Sequence, residues 1–242
     1  MEHARLLRSE APGIGAYKMF VILKAIFLDA MPGRDRFYEI INKNGLMLKP
    51  ERRRHTTNSN HNYRKYSNLI KDLVVDSPNR LWVADITYID TDEGVVYLHL
   101  LTDAWTHEII GWVLSDSLMA ANTIAALRMG IEHNKGADLS GLIHHSDRGS
   151  QYCSNAYVDM LKSINAAISM TEDYKPTDNA IAERVNGIIK QEWLYRMKRP
   201  ENLDEARRII SGIIDFYNNK RPHMSNGMKT PVQKRLEYNK TA

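Results

Sequence analysis

The sequence predicts an α/β fold, a mixed five-stranded sheet flanked by helices, behind a small N-terminal helical segment that resembles a helix-turn-helix. Three observations carry this. Apolar residues recur at helical spacing over residues 13–45. From Leu81 the pattern changes to short runs rich in Val, Ile, Trp and Tyr. From Met119 onward, helical periods alternate with brief apolar runs.

Taken in order, Ala16, Met19, Phe20, Leu23, Phe27 and Leu28 define a first helix. Asp29-Ala-Met-Pro-Gly33 breaks it. A second helix runs from Arg34 to Asn44, with Phe37, Ile40 and Ile41 on one face and Gly45 as its stop. Two short helices about a tight turn fit a DNA-reading hairpin decorated by Arg34, Arg36 and Lys43, and fit a plain helical hairpin equally well. Residues 49–76 hold few large apolar side chains and read as a basic linker. Strands follow at Leu81–Ile89, Val95–Leu101 and Ile109–Leu114, an antiparallel meander turned at Thr91-Asp-Glu-Gly94. A helix over Met119–Asn134, a strand over Leu142–His145, a helix over Asn155–Ile164 and a strand over Ala167–Met170 come next. Helices over Asn179–Tyr195 and Glu205–Tyr217 complete the chain. The order β-β-β-α-β-α-β-α is that of a ribonuclease-H-like fold. The expected division is 1–48 helical, 49–76 linker and 77–238 core.

Composition excludes several classes. The chain has 242 residues, enough for one large domain or a domain with an appendage. Its most apolar run, Met19 to Leu28, is ten residues long and interrupted by Lys24, short of the ~20 residues a bilayer demands. The single cysteine, Cys153, excludes an internal disulfide or a zinc site with two thiolates, and points to a reducing cytoplasm. Net charge is +4, concentrated between Arg34 and Tyr66. There nine basic residues (Arg34, Arg36, Lys43, Lys49, Arg52, Arg53, Arg54, Arg64, Lys65) face three acids (Asp35, Glu39, Glu51). Such a segment suits phosphate neutralisation, and suits a solvated linker too.

Three acids carry the chemistry. Asp85 sits inside Leu81-Trp-Val-Ala-Asp-Ile-Thr-Tyr-Ile89, where aspartate is disfavoured. A carboxylate there needs a partner: a metal ion, or a neighbouring Arg or backbone amide. Asp147 ends the short strand Leu142-Ile-His-His-Ser146, the end of a strand where α/β proteins gather ligands; a turn or helix cap is the alternative. Glu183 lies on the helix from Asn179. Three carboxylates converging from separate elements suit two magnesium ions, one activating the attacking oxygen and one stabilising the leaving oxygen.

The phrases Trp82-Val-Ala-Asp-Ile-Thr-Tyr-Ile89, His144-His-Ser-Asp-Arg-Gly-Ser-Gln-Tyr152 and Asp178-Asn-Ala-Ile-Ala-Glu183 resemble the three signatures of insertion-sequence transposases of the IS-three group, whose cores are similar to retroviral integrases. Phe216-Tyr-Asn-Asn-Lys-Arg-Pro-His223 and Thr230-Pro231 match that group as well. The resemblance spans roughly residues 13 to 235. It implies that Asp85, Asp147 and Glu183 are the acidic triad of a DDE transposase, the catalytic subunit, binding two Mg²⁺ that Mn²⁺ replaces. It implies cleavage at mobile-element ends and joining of a 3′ hydroxyl to DNA. It implies double-stranded DNA as partner, a homo-oligomer on DNA, an upstream-encoded subunit joined by frameshifting, and a bacterial, nucleoid-associated location. Two stretches depart from the group: Ser169–Thr177 lacks its glycine and cysteine, and Arg184-Val-Asn-Gly187 stands where Ser-Phe-Phe is usual. The competing readings are a decayed DNA-binding protein and a nuclease without strand transfer.

Further DNA contacts are expected from Lys190, two helical turns beyond Glu183, and from Arg148 and Gln151 beside Asp147. Of His144 and His145, strand alternation sends one inside and one toward the cleft. Asp178 reads as a helix cap. Glu192, nine residues past Glu183, falls on the opposite helix face and is expected at the domain surface.

Overall fold

The computed structural model describes residues 1–48, 64–172 and 179–241. The chain forms two compact units. One comprises Met1–Thr56, Ile188–Arg199 and Ile210–Ala242; the other comprises Thr57–Gly187 and Pro200–Ile209. Helices are α1 Glu2–Glu10, α2 Ala16–Phe27, α3 Arg34–Lys43, α4 Ala120–His133, α5 Ser150–Cys153, α6 Asn155–Ser163, α7 Ala180–Glu192, α8 Leu203–Asn219 and α9 Pro231–Thr241. Strands are β1 Leu81–Thr91, β2 Gly94–Asp103, β3 Ile109–Ser115, β4 Ile143–Ser146 and β5 Ala167–Met170. No described helix is long and apolar enough to cross a membrane.

The first unit is helical. Helices α2 and α3 stand where the sequence predicts them, and α1 precedes them, burying Ala4 and Leu7. Between α1 and α2 the backbone runs against the end of α7, where Gly13 N–H donates to Glu192 O at 2.6 Å. A Cβ at Gly13 would lie 2.4 Å from Glu192 Cα, so only glycine allows this approach. Trp193 is fully buried, its indole N–H donating to Glu10 O at 2.8 Å and its ring edge-on to Phe216. Helix α9 opens with a capping box. Thr230 Oγ1 accepts from Gln233 N–H at 3.1 Å, Gln233 Oε1 accepts from Thr230 N–H at 2.9 Å, and Pro231 fills the first turn.

Glu192 corrects an expectation. It lies on a buried face, not at the domain surface: Arg221 donates to both its oxygens at 2.8 and 2.7 Å, and Lys18 adds a contact at 3.0 Å. Arg221 is itself only 2% exposed, with His223 Nε2 3.0 Å away. Burial pushes the Glu192 carboxyl up, but the two cations outweigh it and hold the group below its ordinary range. Both cations, Arg221 and Lys18, belong to the same unit as Glu192.

The second unit holds the sheet, in the order β3-β2-β1-β4-β5. β1–β2 and β2–β3 are antiparallel; β1–β4 and β4–β5 are parallel. The sheet is the mixed five-stranded one the sequence predicts. Burial along β1 changes halfway. Leu81, Trp82, Val83 and Ala84 are all buried, as in a strand covered on both faces, whereas beyond Ile86 exposed and buried residues alternate. Asp85 stands at that change. Both β4 histidines are interior, against the expected alternation. His144 Nε2 meets Tyr157 Oη from α6 at 2.8 Å, and His145 Nδ1 meets Ser169 Oγ at 2.8 Å. A short parallel strand with both faces covered has no cleft-facing side.

The outer edge of β5 is also occupied. Residues 67–71, within the segment read as a linker, run beside it. Ser67 O accepts from Met170 N–H, Leu69 N–H donates to Ser169 Oγ, and Lys71 pairs with Glu172. Ile70, Leu73 and Val75 pack on a cluster holding Leu81, Val83, Ala104 and Ala182. The edge is thereby shielded from pairing with other chains.

Glu192→Gln removes the charge that compensates buried Arg221. It is expected to destabilise the protein by roughly 3 kcal/mol in urea unfolding, the lower end of the range for breaking a buried ion pair. A loss under about 1 kcal/mol, typical of a surface pair, would contradict this placement.

Candidate active site

The register of β1 on β4 brings two acids to one level. Leu81, Trp82 and Val83 pair with Ile143, His144 and His145, a constant offset of 62 (143 − 81). Asp85 and Asp147 differ by the same 62 (147 − 85). Each therefore lies two residues beyond the last bonded pair, on adjacent parallel strands ~4.8 Å apart. The ladder ends there, leaving room for the carboxylates to emerge.

Asp85 is partly exposed and has two donors: Ile86 N–H reaches Oδ1 at 2.9 Å, and the Asn186 amide reaches Oδ2 at 2.6 Å. Burial, then the charges of Asp147 and, more weakly, Glu183, push its carboxyl up to about 7. The hydrogen bonds pull the other way and lose. Of the two acidic neighbours, Asp147 acts on Asp85 more strongly than Glu183 does.

Asp147 begins the loop into α5. Its Oδ1 accepts from Gly149 N–H at 2.9 Å. A Cβ at Gly149 would approach that oxygen to 2.9 Å, so a side chain there would push the carboxylate aside. Tyr152 from α5 lies buried beneath, its hydroxyl without a described partner and its acidity suppressed by burial and by the charges of Asp85 and Asp147.

Glu183 sits in the first turn of α7, exposed, where the helix dipole favours an anion. The N-terminal side of this helix is fastened to β1, with Asn179 Nδ2 donating to Ala84 O at 3.1 Å. Asp178 lies outside the described residues.

The remaining candidates fall as follows. Gln151 donates to Leu118 O at 3.0 Å, which fastens the α5 loop to the segment before α4. Arg148 is half-buried beside Asp147, and Lys190 half-buried on α7. Arg34, Arg36 and Lys43 lie on exposed positions of α3 in the helical unit, where Arg34 pairs with Asp35 and Arg36 with Glu39. Arg52, Arg53 and Arg54 lie outside the described residues. Sequence reasoning assigned no role in the site to Asn186 or Tyr152, and read Asn179 only as part of a helix cap with Asp178. The available signal was a polar residue on the sheet-facing side of a helix, at the spacing of Ala182 and Val185, both buried.

The donor set is entirely oxygen, the preference of a hard divalent cation. The histidines before Asp147 engage side chains of the interior, His144 Tyr157 through Nε2 and His145 Ser169 through Nδ1. Among the described residues no three His, Cys, Asp or Glu side chains close to full metal-ligand spacing. Magnesium requires only one or two carboxylates, completing its shell with water and phosphate oxygens, so the Asp85–Asp147 pair with Glu183 nearby fits it.

Two families described as integrase core domain match the chain, over residues 75–176 and 165–231. The insertion element IS600 31 kDa protein of Shigella sonnei is 37% identical over 213 residues, covering 87% of this chain and 77% of that protein. The transposase for insertion sequence element IS629 of Shigella sonnei is 34% identical, covering 69% of this chain. Transposase InsF for insertion sequence IS3A of Escherichia coli K12 is also 34% identical, covering 68% of this chain. The chain spans only 55% and 57% of the length of those two transposases. In fold, the chain is similar to the HTLV-2 integrase catalytic core solved with magnesium (TM-score 0.51, 20% identity, 66% of this chain and 97% of that one). It is also similar to a chain in the structure of the simian T-cell lymphotropic virus intasome in complex with PP2A regulatory subunit B56 gamma (TM-score 0.57, 17% identity, 96% of this chain and 74% of that one).

The raised Asp85 carboxyl has a consequence for stability. Its folded value, about 7, exceeds the ordinary value of 3.8, so its contribution is fully present below about 4 and is lost as pH rises through 7. Asp85→Asn should therefore raise the melting temperature at pH 8 in excess chelator, with the gain shrinking as pH falls toward 4. A variant that melts lower at pH 8, or a gain independent of pH, would contradict the crowded-acid account.

Proposed function

Because the chain belongs to the insertion-sequence transposases that carry an integrase core domain, we propose that it cleaves phosphodiester bonds at the ends of a mobile element and joins the freed 3′ hydroxyl to DNA, with Asp85, Asp147 and Glu183 as its acids. The observation that carries this reading is the shared offset of 62 that levels Asp85 with Asp147, with Glu183 in the field of Asp85.

Each acid has a distinct local task. Asp85, with a donor on each oxygen, is held in one plane and keeps a lone pair on each oxygen for a further partner. Asp147 is anchored through one oxygen by Gly149 N–H, which fixes the carboxylate at the start of the loop into α5. Glu183 completes the set from a helix rather than the sheet, so its reach depends on how α7 is held. Two magnesium ions, for which manganese substitutes, supply when bound the charge that activates the attacking oxygen and steadies the leaving one. Only the nucleophile differs between the two reactions, water in cleavage and a 3′ hydroxyl in joining, so one set of acids serves both.

Double-stranded DNA is the partner in this reading. Lys190, Arg148 and Gln151 contact the strand being cut. Arg34, Arg36 and Lys43 on α3 and Arg52, Arg53 and Arg54 in the basic segment neutralise flanking phosphates. Residues 1–48 then act as a DNA-binding segment, 49–76 as the basic connection and 77–238 as the catalytic part. A homo-oligomer on DNA is the working form, in the cytoplasm at the nucleoid, with an upstream-encoded subunit contributing end recognition.

The test is a labelled element end incubated with protein and Mg²⁺, with Glu183→Gln beside the parent. The parent should give cut and joined products that vanish in chelator and return with Mn²⁺. Glu183→Gln should give neither product while binding DNA with unchanged affinity. Products from the Glu183→Gln protein, or undiminished activity in excess chelator, would overturn the assignment.

A further inference from the structure

Helix α7 and the residue just before it touch β1 through two asparagine amides, Asn179 and Asn186, that flank Glu183. Asn179 Nδ2 donates to the carbonyl of Ala84 at 3.1 Å, and Asn186 Nδ2 donates to the carboxylate of Asp85 at 2.6 Å. Both asparagines are 6% exposed. They are seven residues apart, or 700° at ~100° per residue, within ~20° of two full turns, so they fall on one stripe of the helix. Glu183 follows the first by four residues and precedes the second by three, the two spacings that place side chains on a shared face. The strand residues engaged, Ala84 and Asp85, are consecutive and stand where β1 loses its second covered face.

The cost of these contacts argues that they act as more than filler. Each amide leaves its own carbonyl oxygen, Asn179 Oδ1 and Asn186 Oδ1, buried without a described partner. A buried polar atom left unmade opposes folding, and apolar side chains would fill the same positions without it. Ile181, Ala182 and Val185 on the same helix supply apolar contact or burial already. What leucine or phenylalanine cannot supply is a directional bond to a chosen atom of β1. The offset of 62 on β4 fixes the level of Asp85 and Asp147 but says nothing about α7, which joins the sheet through no ladder.

We infer that Asn179 and Asn186 are positioning residues, a two-point clamp that fixes the rotation and height of α7 on β1 and so brings Glu183 to Asp85. Asn186 acts at both ends of the clamp. Its bond sets the helix and also holds the Asp85 carboxylate in one orientation. The inference rests on the proposed role of the three acids, and goes beyond it by naming what aligns the acid the sheet does not carry.

Two measurements on the full chain separate this from mere packing. The first is amide hydrogen exchange of the chelator-treated protein. Asn179→Ala and Asn186→Ala should each speed exchange across 183–187 at least tenfold, with exchange in β2 and β3 unchanged. The second is calorimetric titration with Mn²⁺ alone. Asn186→Ala should weaken binding by about 10- to 100-fold, the loss typical when a partner behind a metal ligand is removed. Asn186→Asp, which keeps the shape but aims a carboxylate at Asp85, serves if the alanine variant folds poorly; it should also speed exchange in α7 and lose Mn²⁺ affinity. Should the parent bind no Mn²⁺, the metal reading of the acids fails while the exchange data still judge the clamp. Unchanged exchange over 183–187 in folded Asn179→Ala and Asn186→Ala or Asn186→Asp proteins would overturn the clamp, and Mn²⁺ affinity within twofold of the parent would overturn the link to Asp85.

Discussion

Three residues of parallel pairing, Leu81, Trp82 and Val83 against Ile143, His144 and His145, set the geometry on which the rest of the site depends. Parallel pairing fixes register, and a one-residue slip would carry Asp85 to the other face of the sheet. The slip is opposed on both strands. Trp82 is fully buried with its indole tied to Asn79, and His144 and His145 each hold a specific hydroxyl on opposite sides of β4. Burial drives the His144 imidazole down to about 3, so it stays neutral and keeps its bond to Tyr157 across the physiological range. The interior histidines thus serve the alignment of the acids without touching the chemistry.

Two aspartates on this sheet illustrate how partners separate structure from function. Asp103 at the end of β2 is 2% exposed and accepts four bonds, from Asn79 N–H, Trp105 N–H, Thr106 N–H and Thr106 Oγ–H. Its loop closes around it, and its carboxyl is spent on the turn into β3. Asp85 has two protein donors and two acidic neighbours instead. Burial raises both carboxyls, and acidic neighbours add to it: Glu108 at Asp103 as the smallest cause, Asp147 at Asp85 as the second largest, with Glu183 behind it.

Much of this was legible in the sequence. Period and alternation located all five strands and the helices α2, α3, α4, α6, α7 and α8, because each buries one face against a neighbour and carries the matching pattern. The acids stood out as a charged residue inside one strand, another at the end of a second strand, and a third on a helix. What escaped had weaker local signals. Helix α1 is short and mostly polar, with only Ala4 and Leu7 buried, and α9 declares itself through the Thr230 and Gln233 cap rather than an apolar stripe. The environment of Glu192 was not legible, since pairing with Arg221 and Lys18 depends on segments 29 residues ahead and 174 residues behind. The docking of residues 67–71 rests on one backbone bond, a bond to Ser169 Oγ and the Lys71–Glu172 pair, all with partners about 100 residues further along the chain. Asn186 was visible only as a departure from the expected Ser-Phe-Phe.

The central claim is that Asp85, Asp147 and Glu183 face one another and together hold divalent metal. Anomalous scattering from Mn²⁺ in crystals of the protein bound to an element end addresses it without reference to rate. The account predicts anomalous peaks within ~2.2 Å of carboxylate oxygens of Asp85 and Asp147, with Glu183 completing the site. Peaks at other carboxylates, or a Glu183 side chain turned away from occupied Asp85 and Asp147, would contradict it.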